Sequence, residues 1–302
     1  LLFRKKFRKR GRTFLSLLQY LQNSSNGSGN QFSVNDFYLP SGLPAGTDSI
    51  NQRNESSADL NGYTARIVYT EPVGKKAMLE FSVAKSSTES RSNRVTYDYD
   101  NGTGKFDQYN PLLSNEFKNK YGYTNAGMRY RKQHKKFNWA VGAAWQLAEL
   151  EGSTIGSGKD TLISKQFRNI LPNARAQYNF NRFSNLMLNY SAQTMQPTVT
   201  QLQPVPDISN PLQIVYGNPD LKQEYINIAQ LNLFIINPVK NRNFFTFLMF
   251  RQVNNKIVNY DIINALGIKT TRPVNVNGIY SMNGDINWSL PLSFMKKSSL
   301  TL

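Results

Sequence analysis

The sequence has no cysteine and one histidine, His134, set among lysines. The first absence removes disulfides, zinc–thiolate sites and thiol nucleophiles together. The second removes a histidine-based triad and a histidine metal cluster, both of which need imidazole inside a cleft. Long apolar runs are missing too. Nothing approaches the roughly 18 consecutive apolar residues of a membrane helix, and the mean hydropathy is -0.50. Acids are scarce, 19 against 36 Lys and Arg, for a net charge of +17. A basic chain can hold nucleic acid by neutralising phosphates and releasing counterions. Here no recognition motif accompanies the charge, and the cations gather in the N-terminal run and in short connections: Lys75-Lys76, Arg131-Lys132 with Lys135-Lys136, Lys240 with Arg242, and Lys296-Lys297. Such turns beside strand ends suit anionic lipid headgroups, so lipid is the expected partner and nucleic acid is not. Neither an initiator Met nor an apolar signal core opens the chain, and its last residues, 299–302, read as the opening of another strand. The expectation is an internal segment of a larger architecture.

What the sequence does have is alternation. Ten segments read as strands, and eight of them place apolar and polar residues largely on opposite faces with the two-residue period of a half-exposed strand: 63–70, 77–84, 126–131, 137–148, 174–181, 186–192, 229–235 and, longest, 274–290; 12–22 alternates poorly, and 244–250 is apolar on both faces. Residues 174–181 are the cleanest, with Ala174, Ala176, Tyr178 and Phe180 against Arg175, Gln177, Asn179 and Asn181. Polar stretches around 23–62 and 86–120 read as long loops, because their composition cannot build a packed core. The connections then alternate, short near Glu71, Gln133, Arg182, Lys240 and Leu292, and long near Gly27, Asp98, Gly156, Pro206 and Leu266. In an up-and-down sheet this puts every short turn on one side and every long loop on the other, the layout of an outer-membrane barrel. The expected fold is all-β: an antiparallel up-and-down transmembrane β-barrel, incomplete, about ten strands of a larger one. A soluble exported β-rich binding or adhesion module shares the alternation and is the alternative, as is a passive porin-like channel. On the barrel reading Arg66, Glu80, Arg129, Arg175, Gln177, Asn275, Asn277 and Asp285 face the lumen, since a charge at the lipid midplane costs roughly 2–4 kcal/mol.

Nothing in the sequence assembles an enzyme, and no cofactor is expected. Glu149 and Glu151 are paired acids at a strand end with no nucleophile nearby. Asp98-Tyr99-Asp100-Asn101-Gly102 has the look of a calcium loop, but its Gly comes one residue early and no Glu follows at the required spacing.

The long connection between residues 193 and 225 carries Gln196-Pro197-Thr198, Gln201-Leu202-Gln203-Pro204, Ser209-Asn210-Pro211-Leu212 and Gly217-Asn218-Pro219-Asp220-Leu221-Lys222. With Lys9-Arg10-Gly11-Arg12-Thr13, Tyr69-Thr70-Glu71-Pro72, Thr96-Tyr97-Asp98-Tyr99, Ile170-Leu171-Pro172 and Pro273-Val274-Asn275-Val276-Asn277-Gly278, it resembles the outer-membrane β-barrel family of TonB-dependent receptors in Bacteroidetes. The resemblance implies that residues 1–302 are part of one outer-membrane barrel domain whose plug and remaining strands lie outside this sequence. It implies a receptor-like transporter in the bacterial cell outer membrane that takes up an unidentified ligand. The plug domain and the TonB complex are partners implied by the family alone. The prolines of this loop either shape the barrel mouth or simply stiffen a hairpin connection.

Overall fold

The computed structural model describes residues 1–302 apart from 40, 157–160, 203–206, 211, 266, 292–298 and 302. β1 (Leu2–Lys6) pairs with β2 (Thr13–Tyr38), β3 (Pro44–Gly74) returns along β2, and β4 (Ala77–Asp100) returns along β3. After the short β5 (Lys105–Tyr109) on the end of β4, the meander continues through β6 (Asn115–Gln133), β7 (Phe137–Gly156), β8 (Thr161–Asn179) and β9 (Asn185–Met195). A one-turn helix, α1 (Val199–Leu202), and the short strands β10 (Asp207–Asn210) and β11 (Gln213–Val215) interrupt it before β12 (Glu224–Asn237) and β13 (Arg242–Asn254). A second interruption holds β14 (Lys256–Ile263) and β15 (Lys269–Val276), and β16 (Ile279–Pro291) and β17 (Ser299–Thr301) rejoin the wall. The outcome is a 13-stranded antiparallel sheet that follows chain order, with β1 and β17 at its two ends, and a separate 4-stranded sheet in the order β10-β11-β15-β14. Among the described residues no Greek-key crossover occurs in this wall, which argues against the soluble-sandwich alternative. Trp145 and Trp288 remain 47% and 46% exposed, not buried between two sheets.

Residues directly opposite each other on paired strands share a face, so the register fixes both faces. One row runs Val141, Ala174, Tyr190, Ala229, Phe250, Met282, and a parallel row runs Tyr69, Phe81, Met128, Ala143, Pro172. Counted from the short turns, this face stays mainly apolar for several residues on each strand and then turns polar at Lys85, Glu149, Arg168, Asn227 and Gln252. The band is close to the 9–11 residues with which a tilted strand crosses a bilayer. Aromatic pairs mark its short-turn edge: Phe7 with Tyr69 at 6.5 Å, Tyr130 with Trp139 at 5.4 Å and Tyr178 with Phe180 at 5.1 Å. Aromatic girdles sit at this level in outer-membrane barrels.

The antiparallel sheet of about ten strands is present, with three short additions: β1, inside the basic run, β5, and β17, the strand opening read at the end of the sequence. Other expectations need correction. The loops expected near Gly27 and Asp98 are strand. Residues Asn23 to Asn30 pair one by one with Leu60 to Arg53, the ladder continues to Tyr38, and Gly42 beyond it takes φ 82°. A backbone ladder satisfies its N–H and C=O groups without an apolar face, so polarity alone does not stop a strand once its partner is in register. At roughly 3.3 Å per residue, hairpin β2–β3 extends far past the apolar band. The connection expected near Leu292 lies outside the described residues. The long strand read across residues 274–290 is two strands in two sheets. Gly278, with φ 81°, and Asn255, with φ 52°, adopt the left-handed conformation that lets the chain leave the wall after β13 and re-enter it at β16.

Candidate functional site

The face opposite the apolar band gathers six of the eight side chains assigned to the lumen. Glu80 stands directly opposite Arg129, Arg129 opposite Gly142, Arg175 opposite both Ala140 and Asn189, Gln177 opposite Asn138, and Arg66 opposite Leu17 and Ala84. Asp285, opposite Phe247, continues the same face through Asn232 and Met187. A hollow of about 670 Å³ is lined by residues from Leu17 on β2 to Ser191 on β9, as a concave face allows. Nearer the short turns a second hollow, about 280 Å³, brings together Glu80, Arg129, Arg131 and Arg175. Arg131 and Arg175 direct Nη2 at the sulfurs of Met78 and Met187, at 2.9 and 3.4 Å, and Arg129 Nε is buried with no hydrogen-bond partner among the described residues. The polar face therefore carries guanidinium groups in excess of carboxylates.

Asn275 and Asn277 are not on that wall. Asn275 belongs to β15; its Nδ2 donates to the carbonyl of Asn255 at 2.7 Å, and its Oδ1 accepts from the amide of Lys222 at 2.8 Å. Asn277 Oδ1 accepts from the amide of Asn255 at 2.8 Å. Both asparagines fasten the point where the chain branches into the second sheet.

The described residues at both ends of the central loop pack on the polar face. Leu150 and Ile163 from the wall, Val199 and Leu202 from α1, and Leu221 form one buried cluster, with Tyr121, Phe167 and Ile257 packed against it. Leu150, Ile163 and Phe167 continue the face of Gln146 and Asn169, so the lining changes from polar to apolar where the loop docks. Gly152 is needed there: a Cβ would meet Val199 Cγ2 at 2.6 Å. In α1, Thr198 and Gln201 cap each other, Thr198 N donating to Gln201 Oε1 at 3.0 Å and Gln201 N to Thr198 Oγ1 at 3.2 Å. Asn218 donates its amide to the Gln201 carbonyl at 2.6 Å and its Nδ2 to the Pro273 carbonyl at 3.0 Å. Leu202 is fully buried, Gly217 and Pro219 are half-buried beside Asn218, and Asn210 lies in β10. Gln203, Pro204 and Pro211 fall outside the described residues.

Residues that the sequence did not single out complete this junction. Glu224, 1% exposed, accepts from Lys256 Nζ and from the amide of Ile257, both at 2.9 Å. Its Oε2, and the neighbouring Nε2 of Gln223, are buried without a partner among the described residues. Gln223 Oε1 accepts from Asn169 at 2.8 Å. Their signal was available in Asp220-Leu221-Lys222-Gln223-Glu224, where Glu224 stands three residues from a buried leucine, but its partners are far away in sequence.

At the short-turn edge, beyond the aromatic pairs and outside the apolar band, Glu71 holds the other crossing. It accepts from Arg12 Nε at 2.7 Å and Nη2 at 2.9 Å, from Lys9 at 2.6 Å and from the Tyr69 hydroxyl at 2.7 Å. The Arg12 guanidinium, then Lys9 and Tyr69, hold this carboxyl well below the usual carboxylate range. Asp261 on β14 is lowered likewise by Lys269 and Thr271. The aspartates of the calcium-like stretch are occupied by protein donors: Asp98 accepts from Gln52 and Asn110, and Asp100 from the amide of Gly102.

A family model described as "Outer membrane protein beta-barrel family" matches residues 5–302. No curated protein matches the sequence. Among solved structures the chain is similar to the copper transporter OprC, with a TM-score of 0.65 at 12% identity over 97% of this chain and 43% of that one. It is also similar to FpvA of P. aeruginosa, solved with heterologous pyoverdines, with a TM-score of 0.54 at 13% identity over 97% of this chain and 37% of that one. For the ferric citrate transporter FecA the TM-score is 0.53 at 11% identity, over 92% and 39%. The chain thus spans less than half the length of each of these structures.

Proposed function

The chain belongs to the outer membrane protein β-barrel family, and from that premise we propose that it forms part of the wall of a ligand-uptake barrel whose polar face lines the passage. The protein sits in the bacterial outer membrane. The observation that carries the proposal is the division of one sheet into an apolar band, cut off at Lys85, Glu149, Arg168, Asn227 and Gln252, and an opposite face bearing Arg66, Glu80, Arg129, Arg175, Gln177 and Asp285. Only the second face meets the docked loop, which narrows the passage at the long-loop end. Asn275 and Asn277 serve the passage indirectly, by holding that insert. The excess of guanidinium groups near the short turns favours an anionic occupant, either a ligand in transit or the surface of a plug. A plug filling the lumen, and energy supplied through a TonB complex, follow from the resemblance of the sequence motifs and are part of this proposal.

These 302 residues hold no cysteine, so once any thiol elsewhere in the full-length protein is replaced by serine, each introduced thiol is the only one present. With Arg129→Cys or Arg175→Cys in the full-length protein, a membrane-impermeant thiol reagent is expected to react when admitted to the lumen. With Leu79→Cys or Val141→Cys it is expected not to. The reverse pattern would exchange the two faces. In planar bilayers a plugged barrel is silent, whereas a steady conductance would mark a passive channel.

A further inference from the structure

The lipid-facing side carries a feature that uptake does not use. A hollow of about 680 Å³ opens among Phe137, Trp139, Ala176, Tyr190, Leu231 and Phe250, lined almost wholly by apolar side chains. Its floor is low because alanines occupy β8 and β12 between larger residues on β7, β9 and β13. Phe137, at one end of the hollow, directly follows the turn that carries Lys135 and Lys136. The Lys136 carbonyl accepts from the amide of Asn179 at 2.7 Å, which sets this turn against the next one, where Arg182 is exposed. Lys135, Lys136 and Arg182 are all exposed, and none has an ion pair among the described residues. No acid occurs in either turn.

We propose that this corner of the wall holds an anionic phospholipid of the inner leaflet, with one acyl chain in the apolar hollow and the headgroup phosphate on Lys135, Lys136 and Arg182. The two halves of such a molecule match two separate features. A free phosphate would engage the turns and ignore the hollow; a neutral lipid would fill the hollow and ignore the turns. The cations sit at the level where a headgroup lies, just past the aromatic girdle, so charge and apolar surface are offered in the order a lipid presents them. The proposal rests on the assignment of this face to lipid.

The test uses the full-length protein in nanodiscs containing equal phosphatidylglycerol and phosphatidylethanolamine, followed by native mass spectrometry of the lipids retained. The wild type is expected to retain phosphatidylglycerol preferentially. The K135Q/K136Q/R182Q variant should lose that preference, by about fivefold for each cation removed. Ala176→Trp, which fills the hollow and leaves the turns intact, should lose the retained lipid itself. Equal retention of the two lipids by the wild type would overturn the proposal. So would undiminished retention by Ala176→Trp, because the turns alone would then account for binding, or capture of an acidic protein by the turns with no lipid held. Heat-modifiable migration of each variant checks folding. Reaction of Ala176→Cys with the impermeant reagent would instead defeat the face assignment.

Discussion

Glu71 at the short-turn edge and Glu224 at the opposite end each fasten chain segments that are distant in sequence, and their surroundings differ. Glu71 retains 21% of its side-chain exposure and has four donor contacts divided between both oxygens. Glu224 is 1% exposed and has two donors on one oxygen, while the other oxygen is unpaired. The exposed junction is fully satisfied and so contributes little, since water would solvate its charges almost as well. The buried junction is less satisfied and matters more, because removing Lys256 leaves the Glu224 carboxylate with no solvent to replace its partner. The number of hydrogen bonds is therefore a poor guide to which crossing holds the architecture.

The sharpest way to break this comparison is Lys256→Ala. It strands the Glu224 carboxylate in the protein, a loss of about 3 kcal/mol, toward the lower end for buried pairs because Lys256 keeps 29% of its side chain in water. The loss should be local, read as faster amide exchange in β14 and β15 with the wall strands unchanged. The double variant E224Q/K256M should lose less than the single one, since no charge then remains buried. Equal losses would show that packing, not charge, fixes the insert.

Leu202→Ala comes next. The side chain is fully buried where α1 meets Leu150 and Ile163, and its truncation should cost about 2–3 kcal/mol. Limited proteolysis between residues 196 and 223 is the readout, because undocking the loop exposes its backbone. A smaller effect is expected from Gly152→Ala, whose new methyl would press on Val199; overpacking of this kind costs about 1–2 kcal/mol. Val199→Ala should rescue it. Failure of that rescue would mean that Gly152 is needed by the β6–β7 pairing itself and not by the loop.

These sites also mark how far the sequence could be read. The two faces were legible because strand period two is a local rule: Ala174 to Asn181 declares its own sidedness. The polar hairpin of β2 and β3 was not, since its stability lies in register with a partner some thirty residues away and not in its own composition. Asn275 and Asn277 obeyed the alternation of residues 274–290 and were assigned to the wall by it. Their bonds to Asn255 and Lys222, and the positive φ of Asn255 and Gly278, are long-range facts with no periodic trace. The recurring motifs were visible as words but not as contacts. Gly217 to Lys222 meets Pro273 to Asn275, and Tyr69-Thr70-Glu71 meets Lys9 to Arg12, only once the strands are aligned.

The smallest effect belongs to Glu71, and pH sharpens it. A carboxyl whose folded value is depressed contributes stability that is fully present above its unfolded value and disappears only as pH falls through the lower folded one. Arg12, Lys9 and Tyr69 depress Glu71 well below the usual range, so the crossing of residues 9–12 with β3 should survive mild acid that protonates ordinary carboxylates. Pepsin cleavage within residues 7–12, followed downward from pH 4.5, should stay slow until strongly acidic conditions. At neutral pH, Glu71→Gln removes the charge while keeping the size of the side chain, and trypsin should then cut after Arg8, Lys9 or Arg10 a few times faster than in the wild type. Unchanged cleavage would mean that the β1–β2 pairing alone orders this turn. In that case the exposed junction would be decorative, and the contrast with Glu224 would be wider than drawn.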